Sequence, residues 1–139
     1  MILLDTNVIS ELMRPEPEIS VLDWVDQLNR ETTYISTINQ AEILQGVVLL
    51  PDGKRKQQLM EKAKQLFQLF EQRTLPFDSR AAEIYAEVVA ERQLRGRPIH
   101  FQDAQIAAIT IEHNCAIATR NVSGFEEIER LKVINPWRM

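Results

Sequence analysis

Three aliphatic residues, Ile2, Leu3 and Leu4, are stopped abruptly by an acid, Asp5, and this short stretch constrains the fold more than any other. An unbroken apolar run of that length reads as a strand covered on both faces, the kind that builds parallel sheets. In open α/β sheets ligands gather just beyond the carboxyl ends of the strands. Asp5 stands at that place, followed by Thr6 and Asn7, whose side chains add oxygen atoms. A carboxylate there does little for stability and is well placed to hold a hard cation.

The rest of the chain alternates in the same manner. Asn7 to Met13 reads as a short helix, ended by Pro15 and Pro17, which cannot continue it. Glu18 to Asn29 carries apolar residues at helical spacing, and Thr33-Tyr34-Ile35 is a β-branched and aromatic strand. Ser36 or Thr37 can cap a helix reaching about Leu50. Pro51-Asp52-Gly53-Lys54 is a turn into a second helix striped by Leu59, Ala63, Leu66, Phe67 and Phe70, so these two helices form an antiparallel pair projecting from the sheet. Thr74 to Phe77 is a connector or edge strand, and Asp78 caps the next helix. After the break at Arg95-Gly96-Arg97-Pro98, Asp103 opens an apolar helix with small side chains. Cys115 to Ala118 and Lys132 to Ile134 are further strands. Strands alternating with helices give an α/β fold with a parallel sheet wrapped on both sides. No repeat or linker interrupts residues 1–139, which read as one domain.

Composition narrows the function. Lys plus Arg number 16 against 20 Asp plus Glu, a net charge of -4, which argues against nonspecific coating of nucleic acid and leaves a nuclease open. The lone Cys115 excludes an internal disulfide and reads as a buried thiol. No stretch is long enough to span a bilayer and no basic leader precedes the first apolar run, so a cytoplasmic protein is expected.

Three acids stand out by position: Asp5 at a strand end, Glu42 in the first turns of a helix, and Asp103 at the start of another. Each has a plain alternative, as a helix cap, a solvated helix residue or a dipole partner. Brought together, three carboxylates repel and raise a pKa unless a cation joins them. Mg²⁺ or Mn²⁺ relieves that conflict and suits phosphodiester hydrolysis, by orienting the phosphate and acidifying the attacking water.

Asp5-Thr6-Asn7 after its strand, Ala41-Glu42-Ile43, Asp103 ahead of Ile106-Ala107-Ala108, and Ala118-Thr119-Arg120-Asn121 together resemble a PIN domain, along essentially the whole chain. The opening from Met1 to Glu11, Leu75-Pro76-Phe77-Asp78 and Asn135-Pro136-Trp137 are most similar to the VapC/FitB toxins of bacterial toxin–antitoxin pairs. The resemblance implies a three-layer α/β/α domain with a short, mainly parallel sheet. It implies a Mg²⁺- or Mn²⁺-dependent endoribonuclease that forms a homodimer. It also implies inhibition by a cognate antitoxin, through which alone operator DNA is reached.

Asp5, Glu42 and Asp103 match the family's metal-binding, catalytic acids, and Thr6 and Thr119 match hydroxyl positions beside them. A fourth acid usually stands where this chain has Asn121 or Gly124, so Asn121 offers only a neutral oxygen, and one ion or two is left open. Arg14, Arg95, Arg97 and Arg120 flank the site-forming turns and are candidates for RNA phosphate contact. His100 and His113 are isolated, and Trp24 and Trp137 read as packing residues. The apolar faces of the early helices are the expected seat of an antitoxin helix.

Two other readings compete. A catalytically weakened PIN-like module would act only within its antitoxin and operator complex. A phosphoacceptor signalling domain would also place an Asp at a strand end, but Asp5 has no acidic neighbour and Thr119-Arg120-Asn121 supplies no lysine.

Overall fold

The computed structural model describes residues 1–139. Its centre is β1 (Ile2–Leu4), flanked by β2 (Thr33–Ser36) and β3 (Thr74–Leu75) on one side and by β4 (Ala116–Ala118) and β5 (Val133–Ile134) on the other. The five strands run in the order β3-β2-β1-β4-β5, and every neighbouring pair is parallel. Leu3 lies opposite both Tyr34 and Ile117, which fixes the register at the middle of the sheet.

Alternation along the strands divides the core into two layers. Leu3 and Ile117 point to one face, where Ala81, Ile84 and Val88 of α5 (Ser79–Leu94) meet Ile106 and Ile109 of α6 (Phe101–Glu112). Leu4, Ile35 and Ala118 point to the other. That face is covered by α1 (Thr6–Leu12), α2 (Ile19–Asp26), α3 (Thr37–Val48) and α4 (Lys54–Leu69), through Val8, Ile9, Val21, Ile43 and Ala63. The result is three layers, α/β/α. The small side chains of α6, Ala104, Ala107 and Ala108, are fully buried and allow close approach to the sheet. Cys115 is buried just ahead of β4, and burial raises its thiol pKa, as suits an inert structural cysteine.

Local chemistry accounts for the element ends. Ser36 caps α3: its hydroxyl accepts from the Asn39 backbone N–H, while the Asn39 side chain accepts from the Ser36 N–H, a reciprocal capping box. Gly53, at φ +154°, begins α4 in a backbone conformation closed to other residues, and so lets α4 fold back along α3 as the expected pair. Helix α2 is shorter than its apolar pattern suggests, because the Asn29 side chain instead caps a single 3₁₀ turn, Arg30–Thr32.

Two expectations from the sequence require correction. Asp103 does not open α6: that helix starts at Phe101 with His100 at its N-cap, and Asp103 is the third residue. Pro98 restricts only its predecessor, so the helix begins earlier than the apolar pattern alone suggests. A four-residue helix, α7 (Val122–Phe125), was not expected; it buries Phe125 against α6 and β5.

Candidate metal centre

The carboxyl ends of β1 and β4 meet where the sheet changes direction of winding, the crevice in which α/β sheets bind ligands. Asp5 leaves β1 here. Its backbone N–H donates to the Ala118 carbonyl at 2.9 Å, extending the sheet by one bond, while its side chain turns into the crevice. Asp5 is also the N-cap of α1, since Oδ1 accepts from the Thr6 N–H at 2.8 Å. Capping and site geometry therefore coexist in one residue.

Thr119 leaves β4 opposite Asp5, and its hydroxyl donates to Asp5 Oδ2 at 2.7 Å. The Asn7 amide donates to Thr119 Oγ1 at 3.1 Å and lies 3.4 Å from Asp5 Oδ2; its oxygen accepts from the Arg120 N–H at 3.1 Å. Asn7 thus ties the first turn of α1 to the β4 turn. Thr6 serves the second acid: its hydroxyl donates to Glu42 Oε1 at 2.9 Å and accepts from the Asn39 amide at 3.0 Å. Both threonines, which the family resemblance places beside the site, have their hydroxyls on the acids.

The electrostatics show that the three acids share one neighbourhood. Burial pushes Asp5 up to about 6; the Thr119 and Thr6 hydrogen bonds oppose the rise, and the charges of Asp103 and Glu42 add to it. Burial, followed by the Asp103 charge, likewise raises Glu42 against its bond from Thr6. Asp103 is raised by burial and drawn back by His100 and Arg92. None of the three belongs to an ion pair. Acids that are partly desolvated, mutually repelling and without a basic contact form a cation-seeking group.

No three Asp, Glu, His or Cys residues converge closely enough to enclose an ion by themselves. That excludes a closed structural cage. It suits a hard ion such as Mg²⁺, which keeps several waters and takes only one or two carboxylates. The residues present therefore fit an open, hydrated site.

The remaining candidates lie around this centre. Asn121 is exposed, and its N–H donates to Thr119 Oγ1 at 3.0 Å. Its side chain folds over Gly124, where a Cβ would stand 2.6 Å from Asn121 Nδ2, so no carboxylate fits at 124 without displacing it. Arg120 is exposed, paired with no acid, and packs over the Trp137 ring at 5.1 Å. Arg14, Arg95 and Arg97 are each engaged with a carboxylate, those of Glu11, Glu91 and Glu127. His100, the N-cap of α6, stands one turn before Asp103. His113 lies at the far end of α6, with Nε2 3.4 Å from Glu112 Oε2. Trp24 and Trp137 pack against the core. Arg92, buried in α5 and holding the Arg97 and Gly124 carbonyls, reads in sequence as an ordinary helix charge.

A groove between α1, α3 and α4 runs up to the acids. Its lining includes Thr6 and Glu42, the apolar Met13, Ile43, Val47 and Leu59, and the charged Arg14, Arg55, Glu61 and Lys62.

Comparison with known proteins agrees with this architecture. The PIN domain family model matches residues 2–131. The chain is 46% identical to the plasmid stability protein StbB of Pseudomonas syringae pv. tomato and 44% identical to the toxin FitB of Neisseria gonorrhoeae, over 99% of this chain and of each relative. It is 41% identical to the VapC ribonuclease Y4jK of Sinorhizobium fredii, over 99% of this chain and 98% of the relative. Among solved structures, FitAB bound to a DNA fragment superposes with a TM-score of 0.93 at 43% identity, covering 100% of this chain and 97% of that one. Sheet order, helix layers and sequence agree over nearly the full length: the chain belongs to the PIN domain family.

Proposed function

We propose that this chain is the toxin of a toxin–antitoxin pair and acts as a divalent-metal-dependent endoribonuclease, with Asp5, Glu42 and Asp103 around Mg²⁺ or Mn²⁺, one or two of them as direct ligands and the rest acting through its waters. The observation that carries this reading is the group of three half-buried or buried acids, raised in pKa and free of ion pairs, at the carboxyl ends of β1 and β4. The names of the relatives, a VapC ribonuclease and the toxin FitB, supply the substrate class and the biological setting.

When bound, the ion neutralises the acids, orients the scissile phosphate and makes the attacking water more acidic. The chain's own residues prepare that site. Thr119 and Thr6 N–H occupy one lone pair on each oxygen of Asp5, which fixes the carboxylate plane. Thr6 holds Glu42 by Oε1 and leaves Oε2 without a hydrogen bond. Asp103 makes no side-chain hydrogen bond and stays available as a ligand. Asn121 presents a neutral amide at the rim. Arg120, with no carboxylate partner, is the arginine best placed to meet RNA phosphate, because the other three candidates are already paired.

The groove between α1, α3 and α4 supports the antitoxin reading, because an amphipathic helix lays its apolar face into such a channel and would end beside Glu42 and Thr6. FitAB has been solved bound to DNA, and contact with operator DNA through the antitoxin is proposed here on that likeness, as is a homodimer.

The test is cleavage of a mixed pool of structured RNA, including tRNA and rRNA, by purified partner-free protein with Mg²⁺ or Mn²⁺. Cleavage abolished by EDTA and by Asp5→Asn is the expected result. No cleavage by the folded protein would leave a binding module that acts only within its antitoxin complex.

A further inference from the structure

Helix α3 carries a glycine that its own fold does not use. Gly46 lies in the last turns of α3, exposed and in helical backbone that any residue adopts. A glycine there weakens the helix relative to alanine, because it leaves more backbone freedom to the unfolded chain. Packing does not require it either. A Cβ built at position 46 meets no atom within 4 Å, whereas one at Gly124 would strike Asn121. The chain therefore keeps a weakness in α3 that no contact inside it offsets.

The open space above Gly46 is the groove between α1, α3 and α4. Ile43, Gly46 and Val47 recur at i, i+3 and i+4, so they form one stripe of α3 along the groove, and Glu42 stands one turn from the glycine. On α4, Arg55, Leu59 and Lys62 form a second stripe, an apolar residue between two cations. Neither cation has a carboxylate partner. Both are absent from the chain's seven ion pairs, and Lys62 donates only to the Met13 carbonyl, at 3.2 Å. Of the two acids in the lining, Glu42 belongs to the metal centre and Glu61 alone stands along α4. An apolar stripe with a gap in it thus meets a stripe of uncommitted positive charge.

We infer that the antitoxin enters this groove as an amphipathic helix with acidic flanks and crosses α3 at Gly46, backbone against backbone. With no side chain at the crossing, two helix axes approach to about 8 Å, the short end of the usual range of about 8–10 Å. Apolar side chains of the partner then reach Ile43, Val47 and Leu59, while its acids meet Arg55 and Lys62. Gly46 sets how deeply the partner sits in the groove, one turn from Glu42. The inference rests on the antitoxin reading above.

The test combines calorimetric titration of the full chain with its cognate antitoxin, the small protein encoded beside it, and thermal unfolding of the chain alone. Gly46→Ala is expected to raise the midpoint of the free chain by about 3 °C, because alanine is the better helix former and its methyl group meets open space. The same change should weaken the complex about tenfold, as an extra methyl group forced into a packed contact does. Gly46→Gln should weaken it about a hundredfold, with a midpoint no lower than wild type. Arg55→Glu should also weaken the complex, by a factor that shrinks at high salt. A lower midpoint for Gly46→Ala would assign the glycine to the fold itself, and unchanged affinity in both Gly46 variants would place the partner elsewhere; either result overturns the inference. Unchanged affinity in Arg55→Glu would overturn the acidic flanks. No complex with the wild-type chain would instead remove the antitoxin reading, a failure distinguishable from the others because it appears before any substitution.

Discussion

Two acids at opposite ends of α1 are equally buried, Asp5 at 5% and Glu11 at 6% exposure, and are treated in opposite ways. Glu11 receives the Arg14 guanidinium, with Nη1 at 3.1 and 3.3 Å from its two oxygens, and the Glu18 backbone N–H at 2.9 Å. It is a structural acid: it fastens the turn at Pro15 and Pro17 to α1 and has its own cation. Asp5 receives only neutral donors, from Thr6, Thr119 and Asn7, while its acidic neighbours push its pKa further up. The fold supplies a counter-charge at Glu11, where the carboxylate serves stability, and withholds it at Asp5, the acid proposed to hold the ion. Such withholding marks a functional site, because it costs stability in the empty protein.

The contrast is broken most sharply at Asp5. With Mn²⁺ present, Asp5→Asn is expected to lower RNA cleavage by more than the ~10–100-fold typical of residues that merely support a metal ligand. Single-turnover cleavage of a fixed RNA substrate measures it.

The pH dependence follows from the same residue. Asp5 is raised to about 6 in the fold, against 3.8 as its ordinary value. Between those values the folded protein keeps a proton that the unfolded chain has released. Stability of the metal-free protein therefore falls as pH rises from about 4 to about 6, by up to roughly 3 kcal/mol from this group. Asp5→Asn removes that loss, so its stability relative to wild type should grow over the same interval, as chemical denaturation in EDTA will show. A constant difference across those pH values would contradict the assignment.

Glu11→Ala should behave in the reverse sense. Losing a charged acceptor for the Glu18 N–H costs about 2 kcal/mol of stability, and the exposed Arg14 adds less than about 1. Mn²⁺ affinity should stay unchanged, as calorimetric titration will establish. The smallest effect belongs to Thr119→Val, which removes the hydroxyl from Asp5 Oδ2 and should weaken Mn²⁺ binding about tenfold.

Much of this was legible in the sequence, for reasons that particular residues make plain. Ile2 to Leu4 ending at Asp5 fixes both a central strand and the position of a carboxylate at its end, because strand burial and strand direction are local properties. The stripe of Leu59, Ala63, Leu66, Phe67 and Phe70 gave the buried face of α4. The hydroxyl contacts were not legible, since Thr6 reaches Glu42 and Thr119 reaches Asp5 across 36 and 114 residues. Arg92 was hidden for a different reason. A basic residue in an amphipathic helix reads as solvated, and only the packing of α5 on α6, with the return of the chain at Gly124, turns it inward. The start of α6 at Phe101 was missed because His100 makes no side-chain cap, leaving no capping signal in the sequence.

The most direct test of the contrast between the two acids is the thermal midpoint of the protein at pH 7, with and without Mn²⁺. An ion at 100 times its dissociation constant stabilises the fold by about 2.7 kcal/mol, a shift of several degrees. The expected result is that shift in wild type and in Glu11→Gln, and none in Asp5→Asn. An equal shift in Asp5→Asn would show that the ion binds elsewhere and would contradict the assignment of the site.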